Sequence, residues 1–403
     1  MQRTFSALVI VALCACGKES QITQPLQAPP LAERVPDARA RARQYDVVTL
    51  PSLGGTSRGN AISDHGLVAG YSTLPGGQAR HAALWHDGSL ADLGTLGGPN
   101  SSVPWPGLND RGVAAGIAEM AAIDPLGEDW SCSAFFPSVT HHVCRGFVWE
   151  SGRMTALPTL GGTNGFATGV NSRGLVVGWA ETPVHDPTCN APQMLQFRAV
   201  VWDPKHGTTT ELRPLPGDST SAATAINARG QVVGISGACD VAVGEFSARH
   251  MVLWDHGRAT DLGSLGGVAW NTPMAINARG DVVGFSDLPG DANGVSNSHA
   301  FLWTTREGIR DLGMLPGDDN SQALGINARR QIVGISCAGS ACRAFLWEDG
   351  VMTDLTARVR SANGDQLSSA QDINDAGQIT GRVLQKSTGK RLAFVATPVS
   401  DHR

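Results

Sequence analysis

The sequence predicts an all-β fold: a seven-bladed β-propeller of four-stranded antiparallel blades, closed by the N-terminal strand completing the last blade. Three observations carry this reading. First, a motif close to Ile-Asn-x-x-Gly, Val-Val-Gly, His/Arg-Ala-Phe-Leu-Trp and Asp-Leu-Gly recurs seven times. Its clearest copy runs Ile276-Asn277, Val282-Val283-Gly284, His299-Ala300-Phe301-Leu302-Trp303 and Asp311-Leu312-Gly313. Second, each copy, roughly 50 residues long, holds four short strand-like runs. A unit of that size cannot bury its own apolar face, so neighbours must stack or close into a ring. Third, the last copy stops after three runs, and the missing fourth stands before the first copy, at Tyr45 to Leu50. That split unit favours a ring over an open solenoid or β-helix. The 49 Gly, 22 Pro and 17% charged residues in 403 suit many short strands joined by tight turns.

The chain begins with a targeting segment, residues 1–16. Arg3 gives a basic start, and Phe5 to Leu13 is an apolar run too short to span a bilayer, as in a secretory signal peptide. The run ends Leu13-Cys14-Ala15-Cys16-Gly17, which resembles a bacterial lipobox. The resemblance implies lipidation of Cys16 and membrane attachment through that lipid. Gly17 after the cysteine resembles the outer-membrane sorting pattern; an ordinary signal peptide cut nearby is the alternative. Residues 17–44 carry Pro25, Pro29, Pro30, Pro36 and four arginines without apolar periodicity, the composition of a flexible linker. The propeller is expected over 45–398, with a tail at 399–403.

Within each unit the first strand is the short apolar run before Asn, as in Ala225-Ile226; in the second unit this is Leu108. The second is the Val-Val-Gly type, such as Gln231 to Ile235. The third leads to Trp85, Trp149, Trp202, Trp254, Trp303 and Trp347, with Ala393-Phe394-Val395-Ala396 as the seventh. The fourth carries Asp-Leu, for example Asp261-Leu262. Asn227-Ala228-Arg229-Gly230 and Asp87-Gly88 are tight-turn sequences that join strands as hairpins. The near-constant Leu-Gly-x-Leu-Gly-Gly segment is the crossing to the next blade. The first strand should line the centre and the Asp-Leu strand the outside.

This repeat resembles the HAF-repeat family of probable extracellular proteins. The carrying residues are His299-Ala300-Phe301 and, degraded, His81-Ala82-Ala83. The resemblance spans residues 45 to 398 and implies an extracellular location without implying an activity.

Few residues point to chemistry. His81, His250 and His299 share a strand position with Arg145, Arg198 and Arg343. Arg does not replace His as a metal ligand, so a structural cation is the better reading. Hairpin register sets the pairs His81–Asp92, His250–Asp261, His299–Asp311 and Arg343–Asp354 diagonally across. One Trp per blade reads as core. No metal site or cofactor is expected; Ca²⁺ is the weaker alternative, from Pro-Gly-Asp at 216–218 and 289–291 and from Asp318-Asp319-Asn320. Those triplets lack the oxygen-ligand spacing of a known loop. A net charge of −5 with no basic run argues against nucleic acid. A monomer is expected.

Six cysteines follow Cys16, all between a second and a third strand. An even count in an exported chain reads as disulfides, and loop positions suggest Cys132–Cys144, Cys189–Cys239 and Cys337–Cys342. Strand alternation puts the short turns on one face and the crossings, long insertions and cysteines on the other. That second face carries the candidate ligand-binding residues Trp105, Trp130, Phe135, Phe136 and Trp270. Packing beneath their own loops is the competing reading for these aromatics. The function expected is a lipid-anchored, non-catalytic scaffold for a protein or glycan ligand at the cell envelope. The alternative is an extracytoplasmic glycan hydrolase or lyase acting at the propeller mouth.

Overall fold

A computed structural model describes residues 43–399 except 129, 291–296 and 362–363, and leaves undescribed the side chains of Trp130 and Ser131. The signal segment, Cys16, the linker to residue 42 and the last four residues therefore lie outside the described part.

The strands form seven four-stranded antiparallel sheets arranged as a propeller. Blade 1 runs Ser57–Ile62, Val68–Thr73, Arg80–His86 and Ser89–Asp92, from the axis outward. Blade 7 holds Gln366–Ile373, Ile379–Leu384 and Arg391–Pro398, and the strand Tyr45–Thr49 pairs on its outer edge. The first strand of the domain thus completes the last blade. Leu50 N–H donates to the Ala393 carbonyl (2.8 Å), and Arg360 grips Asp46 through both carboxylate oxygens at 2.8 and 2.7 Å. Among the described residues no helix is long and apolar enough to cross a membrane.

The residues that recur along the repeat have structural roles. The inner strand of blades 1, 3, 4, 5 and 6 bulges just past the point where it meets the second-strand glycine. There a Cβ on Gly234 would run into the carbonyl of Ala222, so the strand tolerates only glycine. The tryptophans are core between blades: Trp85, Trp202 and Trp254 are buried, and their indole N–H groups donate to the Pro51, Pro158 and Arg213 carbonyls of the crossings. The turn asparagines do more than start hairpins. Asn227 Oδ1 accepts from the backbone N–H of Arg229 and Gln231, while its Nδ2 donates to the Asn277 carbonyl of the next blade (3.1 Å). The same bond passes from Asn109 to Asn171, on to Asn227, Asn277, Asn327 and Asn374, and ends on Ser63 of blade 1. A belt of side-chain amides ties the inner strands together at the short-turn end of the axis.

Blade 2 departs from expectation. Its inner strand is Gly97–Ser102, and Leu108 makes only an isolated bridge to Ala114. Pro104 and Pro106 interrupt the ladder between them, since proline supplies no N–H. The detour pushes Trp105 towards the axis.

Candidate functional site: the aromatic mouth of the ring

The long-loop end of the axis opens into a cavity of about 350 Å³. Trp105, Phe135 and Trp270 all line it, together with Val243, Phe285 and Leu324. Trp105 comes from the blade 2 detour, Phe135 from the loop that follows the short helix Trp130–Ser133, and Trp270 from the crossing into blade 5. Behind them lies the fully buried Phe166, whose ring is 5.4 Å from Trp105 and 5.0 Å from Phe135, both tilted. Phe136, expected at the surface, instead turns inward and is buried with Phe166, Trp179 and Phe197. It packs beneath its own loop because its neighbour Phe135 takes the outward position. Trp130, the fifth candidate, has its side chain outside the described part.

Two of these wall residues sit in strained backbone. Val243 (φ 57°) and Trp270 (φ 50°) occupy the left-handed region, which β-branched and bulky residues rarely enter. Such strain persists only where the surroundings over-determine it, and it concentrates at functional sites. Here the surroundings are visible. Trp270 N–H donates to the Glu245 carbonyl, and Asn271 N–H to that of Ala248. The Val243 loop is pinned through Asp240, whose carboxylate accepts from Asn190 Nδ2 (2.7 Å) and Phe246 N–H (3.0 Å).

The disulfides staple the same walls. The structure joins Cys132 to Cys144, Cys189 to Cys239 and Cys337 to Cys342, with Cα separations of 6.0, 4.4 and 4.0 Å. The first holds the Phe135 loop. The second joins the insertions of blades 3 and 4 and holds the Val243 loop. The third closes a hairpin end in blade 6.

Four of the strand-three cations, His81, His250, His299 and Arg343, are paired with aspartates, in two ways. His81 bonds Asp92 (2.8 Å) and His299 bonds Asp311 (2.9 Å), both across their own hairpins. His250 does not reach Asp261; it bonds Asp218 at 2.9 Å. Arg343 likewise favours Asp318 (2.7 Å) over Asp354 (3.4 Å). The difference lies in the crossing. Where it reads Leu-Pro-Gly-Asp, the turn carries a carboxylate inward, and that carboxylate also accepts from Ser236 or Ser336 (2.6 Å each). Where it reads Leu-Gly-Gly, the outer aspartate is the available partner. Asp218 and Asp318, considered for Ca²⁺, are thus engaged by protein donors; Asp291 lies outside the described residues. Among the described residues no cluster of three metal-ligating side chains forms.

Carboxylates with raised pKa values lie away from the mouth. Burial, with the nearby Glu128 charge, pushes Glu181 up to about 7, although Thr163 Oγ1 (3.0 Å), Asn164 N–H (2.7 Å) and Gln193 Nε2 (3.0 Å) donate to it. Glu128, raised by burial, keeps one buried oxygen without a partner. Asp372 faces the opposite, asparagine-lined end and is also pushed up to about 7 by burial. The sign of the consequence is fixed. Between the ordinary carboxylate value and 7 the folded chain holds more protons than the unfolded one, so stability falls as pH rises through that window. The melting temperature is expected to be higher at pH 5 than at pH 8. Glu181→Gln, which copies the protonated form, should remove on the order of 2 kcal/mol of that difference. A pH profile identical to that of the wild type would contradict the assignment.

No family model and no curated protein matches the chain. Solved structures similar to it are distant. A streptogramin B lyase shares 11% identity over 88% of this chain and 98% of that one, with a TM-score of 0.48. An oligogalacturonate lyase in complex with manganese shares 11% over 89% and 97%, with a TM-score of 0.48. A gluconolactonase from Xanthomonas campestris shares 11% over 89% and 100%, with a TM-score of 0.35. At this distance nothing about substrate or reaction transfers.

Proposed function

We propose that this chain is an exported, lipid-anchored propeller of the HAF-repeat type that binds a protein or glycan ligand through its aromatic mouth and performs no reaction there. The observation that carries the binding reading is the convergence of Trp105, Phe135 and Trp270 on one cavity from three separate loops. Rigid aromatic walls around a largely apolar cavity suit a sugar face or an apolar side chain. Among the described residues the lining contains no aspartate or glutamate. Three disulfides support an oxidising compartment, and the Cys16 lipobox supports the anchor.

A glycan array and an envelope pull-down with the full chain supply the ligand. Trp105→Ala and Trp270→Ala are each expected to weaken the captured interaction about tenfold or more, with melting temperature little changed. Binding indifferent to both substitutions would place the site elsewhere.

A further inference from the structure

One sector of the mouth is charged, and the repeat shows that the charge is a local departure. The residue after the second-strand glycine is Ile117, Trp179, Ile235, Phe285 and Ile335 in blades 2 to 6. In the adjoining blades 1 and 7 it is Tyr71 and Arg382. Across the ladder, Tyr71 pairs with Arg58, which lines the mouth, at the register where blade 3 places Phe166 opposite Trp179. Arg80 comes from the third strand of blade 1. Three guanidiniums therefore surround one ring: Arg80 lies 3.9 Å from the Tyr71 centroid, Arg58 5.3 Å and Arg382 5.9 Å.

Among the described residues these cations lack counter-charges: no carboxylate forms an ion pair with any of them. The charged groups acting on Arg80 are Tyr71 and Arg382, and burial lowers both arginines. Arg382 donates to the Tyr71 hydroxyl, Arg80 to the Phe135 carbonyl, and Arg58 Nε to Asn60 Oδ1 (2.6 Å). Arg80 Nε and Arg382 Nε are buried with no acceptor. Burial pushes the Tyr71 phenol up, but Arg58, Arg382 and Arg80 together bring it below the usual tyrosine range. Three crowded cations, two of them with an unmet donor, cost stability unless an anion joins them. The Arg80–Phe135 bond makes the cluster continuous with the aromatic wall.

We propose that Arg58, Arg80 and Arg382 around Tyr71 bind the oxyanion of a ligand whose apolar or ring-bearing body occupies the aromatic mouth. Forked guanidinium donors suit a carboxylate, sulfate ester or phosphate ester alike. The inference rests on the mouth being the binding site.

Calorimetry with the full chain uses benzoate, benzenesulfonate and phenyl phosphate against neutral benzamide. At least one anion is expected to bind about tenfold more tightly than benzamide, and the strongest names the source. Arg382→Gln should abolish the preference; Arg382→Lys should restore part of it, which separates charge from folding. A second readout is independent of affinity. The chain has two tyrosines, and burial pushes Tyr45 up to about 12, so Tyr71 should ionise first in an ultraviolet titration. The preferred anion should raise that step beyond what sodium chloride of equal ionic strength does, and Tyr71→Phe should delete it. Equal affinity for the anions and benzamide, with Trp270→Ala weakening all of them, overturns the anion site and leaves the aromatic mouth standing. An anion preference indifferent to Trp105→Ala and Trp270→Ala overturns the aromatic mouth instead. Failure of every probe to bind at millimolar concentration overturns the inference.

Discussion

Val48→Pro is expected to destabilise the whole ring by about 3 kcal/mol, while Val48→Ala is nearly neutral. The Val48 side chain is 62% exposed, so its packing contributes little. Its backbone is another matter. Leu50 N–H donates to Ala393, Val399 N–H donates to the Gln44 carbonyl, and Val48 faces Val395 between these two bonded pairs. Alternation along an antiparallel ladder then aims the Val48 N–H into blade 7. Proline removes that donor in the middle of the five-residue strand that closes the circle. Once the strand releases, the outer edge of Arg391–Pro398 is bare and the Tyr45 ring leaves its cluster with Leu355 and Phe394. Denaturant unfolding of the two variants measures the difference. Equal midpoints would mean that the N-terminal strand does not hold the ring shut.

Cys189→Ser/Cys239→Ser is expected to cost about 2–4 kcal/mol and to abolish ligand capture. The bond spans 50 residues of sequence, and loop-closure entropy puts the unfolded-state effect of such a span near 4 kcal/mol. Cys132–Cys144 (separation 12) should cost less, and Cys337–Cys342 (separation 5) least. The functional order has a different cause. Val243 and Trp270 hold unfavourable backbone angles, and the Cys239 loop supplies both Val243 and the carbonyls of Glu245 and Ala248 that hold the Trp270 segment. Without the staple the strain can relax and the cavity wall moves. Circular dichroism should still report the propeller, because none of the three bonds joins strands of the ring's closure. Loss of capture on cleaving Cys337–Cys342 alone would contradict this division of labour.

The ring was legible because its determinants repeat. The second-strand glycine answers a bulge in blade after blade, and the missing outer strand of blade 7 has its sequence at residue 45. The disulfides were legible because cysteines sat in pairs of facing loops. Hairpin register points His250 at the outer Asp261, whereas its partner, Asp218, comes from the crossing into the blade. The contrast between Leu-Pro-Gly-Asp and Leu-Gly-Gly crossings, visible in the sequence, separates the two arrangements. Neither the burial of Phe136 nor the place of half-buried Phe135 in the cavity wall could be read from adjacent identical residues. The amide belt was hidden because the turn explained each asparagine by itself, leaving its second bond, to the next blade, without a local signal. The arginine cluster joins positions 58, 80 and 382, which no local pattern connects. Its trace is the loss of an apolar residue at the same strand position in two blades that meet only when the ring closes.

The position of benzoate in crystals of the full chain tests the binding face most directly. The expected density lies at the long-loop end, with the ring between Trp105 and Trp270 and the carboxylate against the guanidinium cluster of Arg58, Arg80 and Arg382. Density among the asparagines at the opposite end, with the aromatic mouth empty, would contradict it.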